Sequence, residues 1–81
     1  MERLYLIKRI ANRFTGYDVC QQYLNKPIKG IISIVGEPLV IKYEDGSFFT
    51  HEIVIDSEYV NDNLIIITTT RKEWYIERGL E

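Results

Sequence analysis

The sequence predicts an α+β domain in which an N-terminal amphipathic helix precedes a five-stranded antiparallel β-meander. Residues 3–14, RLYLIKRIANRF, place apolar side chains at helical spacing. Residues 28–78 consist instead of β-branched and aromatic runs separated by turn residues. A twisted meander of this length tends to curl. We therefore expect a small SH3-like barrel with the helix over one opening, and an open sheet is the alternative.

The helical segment is expected to span residues 3–25. At ~100° per residue, the apolar side chains of residues 3–14 fall on one arc and the basic side chains on the opposite arc. A strand is the alternative, but its apolar residues would then occupy both faces. Thr15-Gly16 supplies a stop signal for the helix. Asp18 is a candidate N-cap for a second, short helix in VCQQYL, residues 19–24.

Turn residues set the expected strand pairing of the meander. Asp45-Gly46 is the strongest hairpin signal, and a two-residue type I′ turn there pairs Tyr43 with Phe48 and Lys42 with Phe49. A second turn is expected at Asn61-Asp62-Asn63 and a third at Arg71-Lys72. The third turn places Thr69 opposite Trp74. It also gathers a core stripe on one face, made of Ile65, Ile67, Trp74 and Ile76.

Length and composition predict a single cytoplasmic domain covering residues 1–79. A chain of 81 residues buries only ~60% of its unfolded surface, enough for one small core. No apolar run approaches the ~20 residues of a membrane span, and no signal peptide is expected. One cysteine, Cys20, fits a reducing compartment. Leu80-Glu81 resemble the remnant of an affinity tag.

Charge is distributed unevenly along the chain. Residues 1–30 carry six cations against two carboxylates, a balance of +4, whereas residues 31–81 carry four cations against ten carboxylates, a balance of −6. Lys8, Arg9 and Arg13 would form the basic face of the helix. That face could meet nucleic-acid phosphates or an anionic membrane surface, and we rank the membrane below the other partners. The strand aromatics lie in the acidic part, which opposes nucleic-acid binding on the sheet.

No complete catalytic or metal-binding set can be assembled from these residues. His51 is the only histidine, and a zinc site needs at least three good protein ligands. A nucleophilic Cys20 would need an adjacent base and an orienting group. The acidic loop from Asp56 to Asn63 lacks EF-hand spacing. We therefore predict no catalytic residue, no metal, no cofactor and no enzymatic activity.

The order PLVIKYEDGSFFTHEIVID followed by NDNLIIITTTRKEWYIE resembles small β-rich proteins of Gram-positive bacteria and their phages. In that group an acidic-Gly hairpin precedes a Thr-rich strand and a short final strand bearing tyrosine. The resemblance covers the last two-thirds of the chain. It implies a β-rich fold and carries no activity or site residue with it.

The leading functional prediction is a non-enzymatic interaction domain whose partner is another protein. Edge strands of a meander can accept an added strand, which would also permit homo-oligomers. Whichever of Phe48 and Phe49 is exposed is the predicted contact point. The alternative is a nucleic-acid-binding accessory protein acting through Lys8, Arg9 and Arg13 on the basic helix.

Overall fold

Six antiparallel β-strands close into a barrel in the computed structural model, which describes residues 5–78. The strands are β1 (Tyr5–Asn12), β2 (Ile28–Ile32), β3 (Pro38–Tyr43), β4 (Phe48–Asn61), β5 (Leu64–Thr69) and β6 (Lys72–Arg78). Each strand pairs with the next, and β6 returns to pair with β1. The predicted α+β class, its N-terminal helix and its SH3-like barrel of five strands are therefore wrong. Within the described residues, no helix has the length and apolarity to cross a membrane.

The segment predicted to be the amphipathic helix forms strand β1 instead. Ile7 pairs with Ile76 and Arg9 with Tyr75, so Lys8 is an extra residue in a β-bulge. A bulge lets two successive side chains point outward, because the bulged strand has one residue more than its partner. Ile7 and Ile10 are consequently both buried at a spacing of three. That spacing imitated helical periodicity. The first two residues of the predicted helix, 3 and 4, lie outside the described range.

Residues 13–27 connect β1 to β2 and lie against β1. Backbone N–H groups of Val19 and Asn25 donate to the carbonyls of Ile10 and Ile7, at 2.9 and 3.0 Å. The predicted second helix is also wrong, since only a 3₁₀ turn forms, at Gln21–Tyr23. Asp18 does not cap this turn. Cys20 occupies the N-cap position instead and adopts a left-handed φ of 55°.

The β3–β4 hairpin is one residue out of the predicted register. Gly46 N–H donates to the Tyr43 carbonyl at 3.0 Å, and Tyr43 N–H donates to the Ser47 carbonyl at 2.8 Å. With Gly46 at φ +92°, this is a type I turn closed by a glycine in the left-handed region, with a three-residue loop. Lys42 therefore pairs with Phe48 and Ile41 with Phe49.

The β5–β6 hairpin differs from its predicted pairing by two residues, which leaves every side chain on its predicted face. Ile67 pairs with Trp74 and Ile65 with Ile76. The predicted core stripe is confirmed: Ile67, Trp74 and Ile76 are buried, and Ile65 packs against them. The other buried side chains of the cluster are Ile7, Ile10, Ile28, Leu39, Ile41, Tyr43 and Val54. The predicted turn at residues 61–63 is also present, with Asn63 N–H donating to Asn61 Oδ1 at 2.7 Å.

Candidate interaction surfaces

The three basic residues predicted to form one helical face are tied to their own chain. Arg9 Nε donates to Asp18 Oδ1 at 2.7 Å, and its Nη2 donates to the Gly16 carbonyl at 3.0 Å. Lys8 Nζ donates to Asn25 Oδ1 at 3.3 Å. Arg9 and Lys8 thus hold the β1–β2 connection against β1.

Arg13 lies just beyond the end of β1 and contacts a different part of the chain from Lys8 and Arg9. Its Nη1 donates to the Thr70 carbonyl at 3.3 Å, and its guanidinium lies 5.4 Å from the Phe14 ring centroid. The cationic face that the helix would have presented does not exist in this arrangement. Lys8, Arg9 and Arg13 instead donate hydrogen bonds to loop residues of their own chain.

His51 lies among aromatic rings rather than among ligands. Its ring centroid is 4.7 Å from that of Trp74 and 5.5 Å from that of Tyr23. Nε2 is buried and has no hydrogen-bond partner within the described part of the chain. Burial lowers the pKa of the imidazole, Lys72 lowers it further, and Glu52 acts in the opposite direction. In residues 5–78, no group of three or more His, Cys, Asp or Glu side chains could hold a metal ion.

Glu52 is the acceptor at the centre of a polar network beside His51. Its Oε1 accepts from Thr69 Oγ1 and from the Arg71 N–H, both at 2.9 Å, and its Oε2 accepts from Lys72 Nζ at 2.8 Å. The Trp74 indole N–H donates to Thr69 Oγ1 at 3.1 Å. Burial raises the pKa of Glu52, but these hydrogen bonds outweigh it, and the net result is a lowered pKa. The network fixes the β5–β6 turn and orients Trp74.

The outer face of β2, β3 and β4 carries an apolar groove beside Phe48. Pairing places Gly30, Lys42 and Phe48 in one row across the three strands. Ile32 and Val40 form the next row. These side chains, with Ile31, line a groove of about 380 Å³. Phe48 is 66% exposed there, and Gly30 leaves space that a side chain would otherwise fill.

Phe49 lies on the opposite, inward face and lines a second cleft. Its pairing partner Ile41 is buried, yet Phe49 itself is 45% exposed because it lies where the barrel opens. The cleft has a volume of about 510 Å³ and is lined by Tyr23, Lys26, Pro27, Tyr43, Glu44, Asp45, Ser47 and Phe49. We call it the aromatic cleft. Its rings meet edge to face, with Phe49 centroid distances of 6.0 Å to Tyr23 and 5.7 Å to Tyr43.

The sequence prediction found both phenylalanines but missed the rings beside Phe49. Tyr43 was expected to pair with Phe48, which would have placed it away from Phe49. The three-residue loop over Glu44-Asp45-Gly46 places Tyr43 on the same face as Phe49, and Asp-Gly alone does not distinguish this loop from a two-residue one. Tyr23 had no usable signal, because its place depends on how residues 13–27 cross back to β2. Cys20 and His51 line neither this cleft nor the Phe48 groove in the described residues.

Comparison with protein-family models, with curated proteins and with solved structures gives no match to this chain. The resemblance to small β-rich proteins of Gram-positive bacteria and phages therefore stays a prediction.

Proposed function

We propose that this protein is a non-enzymatic interaction domain that binds another protein through the outer face around Phe48. The observation that carries the proposal is the exposure of Phe48, 66%, directly beside an apolar groove. Isolated apolar residues at a surface are ordinary, but a phenylalanine next to a lined groove is typical of an interaction site. A phenylalanine also loses little conformational entropy when it is buried by a partner.

The chemistry of the groove favours a particular kind of partner surface. Ile32 and Val40 would accept an apolar side chain, while Lys42 lies in the same row as Phe48 and would face a carboxylate. Binding across this face needs no free strand edge. That matters because barrel closure pairs β1 with β6, and the outer strands of an open meander were the expected sites of strand addition.

Nucleic-acid binding through a basic helix required an N-terminal helix, and this helix does not form. Residues 5–12 form a strand, and Arg9 is engaged by Asp18. Strands β3 to β6 lie in the acidic part of the chain, residues 31–81, which repels phosphates. We therefore keep one candidate function, with protein as the partner.

The test is affinity capture from lysate with a matched pair of variants. Phe48→Glu places a charge on the proposed surface, whereas Tyr17→Glu changes an aromatic residue that is 75% exposed in the β1–β2 connection. We expect one protein to be retained by the parent chain and by Tyr17→Glu but lost with Phe48→Glu. Sedimentation velocity across concentrations shows whether that partner is a second copy. Equal capture by both variants, or a strict monomer with no partner, would contradict the proposal.

A further inference from the structure

The aromatic cleft has no part in the proposed docking face and lies on the other side of the β3–β4 hairpin. Its volume of about 510 Å³ falls within the ~300–1,000 Å³ typical of small-molecule sites. An aromatic side chain on the inward face of a strand is normally buried. Phe49 is instead half-exposed beside the cleft, so the cleft has room for a ligand against this ring. The question is which chemistry fits.

Three rings line the cleft, those of Tyr23, Tyr43 and Phe49, and they are inclined to one another rather than stacked. Tyr23 is inclined at 61° to Phe49, and Tyr43 at 77°. Aromatic faces carry partial negative charge, so a ring whose face borders the cleft would attract a cation. Tyr43, at 5% exposure, forms the floor. Its hydroxyl is buried and has no hydrogen-bond partner among the described residues.

The charged groups lining the cleft are Lys26, Glu44 and Asp45. Asp45 is held by the turn, since its Oδ1 accepts from Ser47 N–H at 2.8 Å and from Ser47 Oγ at 2.6 Å. Lys26 is the one cation among these lining residues, set against the two carboxylates of Glu44 and Asp45. Glu44 forms no ion pair with the described residues. One negative charge therefore remains, and it disfavours an anion.

We propose that the aromatic cleft binds an organic cation with a compact, weakly hydrated head group. A quaternary ammonium satisfies the rings through cation–π attraction and Glu44 through charge, without needing a directed hydrogen bond. The cation is either a free small molecule or the side chain of a peptide. The site stands apart from the Phe48 groove, so either can exist without the other.

The first experiment is an NMR titration of the intact chain with choline and with its neutral isostere, 3,3-dimethyl-1-butanol. We expect choline to bind more tightly, with upfield shifts of its methyl protons from the surrounding rings. A capped peptide with one trimethyllysine provides the second arm. Tighter binding of that peptide than of choline assigns the cation to a side chain, and the reverse order assigns it to a free molecule. Equal binding of the neutral alcohol, or no binding of either cation, overturns the proposal.

Adjacent phenylalanines supply the matched variants. Phe49→Leu keeps an apolar side chain but removes the ring, and we expect choline affinity to fall about 5- to 30-fold. Phe48→Leu makes the same change on the opposite face and is expected to leave choline affinity unchanged. Glu44→Gln, in an exposed turn, is expected to weaken choline binding and leave the alcohol unaffected. Equal effects of the two leucine variants, or no effect of Glu44→Gln, would refute the assignment.

Discussion

Replacing Thr69 with valine tests the hydrogen-bond network that joins the β4 strand to the β5–β6 turn. Valine has nearly the same shape as threonine, so the change removes one hydroxyl and little else. Thr69 is fully buried. Its Oγ1 accepts from the Trp74 indole and donates to the Glu52 carboxylate, at 3.1 and 2.9 Å. In the variant, the buried indole N–H has no acceptor, and Glu52 has one donor fewer.

The expected loss of unfolding free energy follows from those two atoms. Orphaning a buried donor destabilises by ~1–3 kcal/mol, and a hydrogen bond to a charged group contributes ~1.5–3 kcal/mol. Because Glu52 keeps Lys72 and the Arg71 N–H, we expect a total of about 2–4 kcal/mol. A domain of this size has a total stability of roughly 4–12 kcal/mol. The midpoint of thermal unfolding should fall by about 10–30 °C.

Urea unfolding followed by Trp74 fluorescence and by far-UV circular dichroism measures the effect. Thr50→Val is the matched control, because Thr50 is exposed on β4, and it should change stability by less than ~0.5 kcal/mol. Thr69→Ser keeps the hydroxyl and should lose only about 1 kcal/mol for the missing methyl group. If Thr69→Val is no less stable than Thr69→Ser, the network does not contribute as argued.

Three further predictions concern pH and the turn. Since the folded state lowers the pKa of Glu52, its contribution to stability is fully present above the ordinary pKa of ~4.3 and declines as pH falls below it; Glu52→Gln should flatten that decline in urea titrations from pH 6 to 3. Burial lowers the pKa of His51, so the free energy of unfolding should fall as pH drops below ~6.5. His51→Phe should remove this pH dependence. If the pH dependence persists in the variant, burial of His51 is not its cause. Gly46→Ala should lose ~1–2 kcal/mol because φ is +92° there, whereas Gly30→Ala, at ordinary φ and with open space, should lose less.

The sequence predicted most of the β-region because turn chemistry is local. Asn61 forms its turn through its own side chain, and Gly46 supplies the left-handed residue of the β3–β4 hairpin. What the sequence could not supply was loop length at that hairpin. Two- and three-residue loops both use Asp-Gly-like sequences, and they differ by one residue in register. The β5–β6 error was harmless by comparison, because a shift of two residues preserves the face.

The N-terminal error has a different cause, since β1 is set by long-range pairing. Its burial pattern over Ile7, Ile10 and Ala11 matches a helix in a window of this length. The same pattern fits a strand only because of the bulge at Lys8, which arises from pairing with β6. A helix here would also have left β6 with an unpaired edge, and closing the barrel removes it. Tertiary pairing therefore overrode a local periodicity signal.

The same closure changes which strand edges are covered. β1 covers the edge that β6 would have exposed in an open meander, whereas β1 and β2 meet at one pair, Tyr5 with Ile28. Phe48 faces outward beside an apolar groove, whereas the adjacent Phe49 faces inward and lines the aromatic cleft. The alternation of the strand makes their separation unavoidable, since neighbouring side chains point to opposite faces. The two residues therefore lie on two surfaces of different chemistry. A variant of Phe48 or of Phe49 can test binding at one surface without disturbing the other.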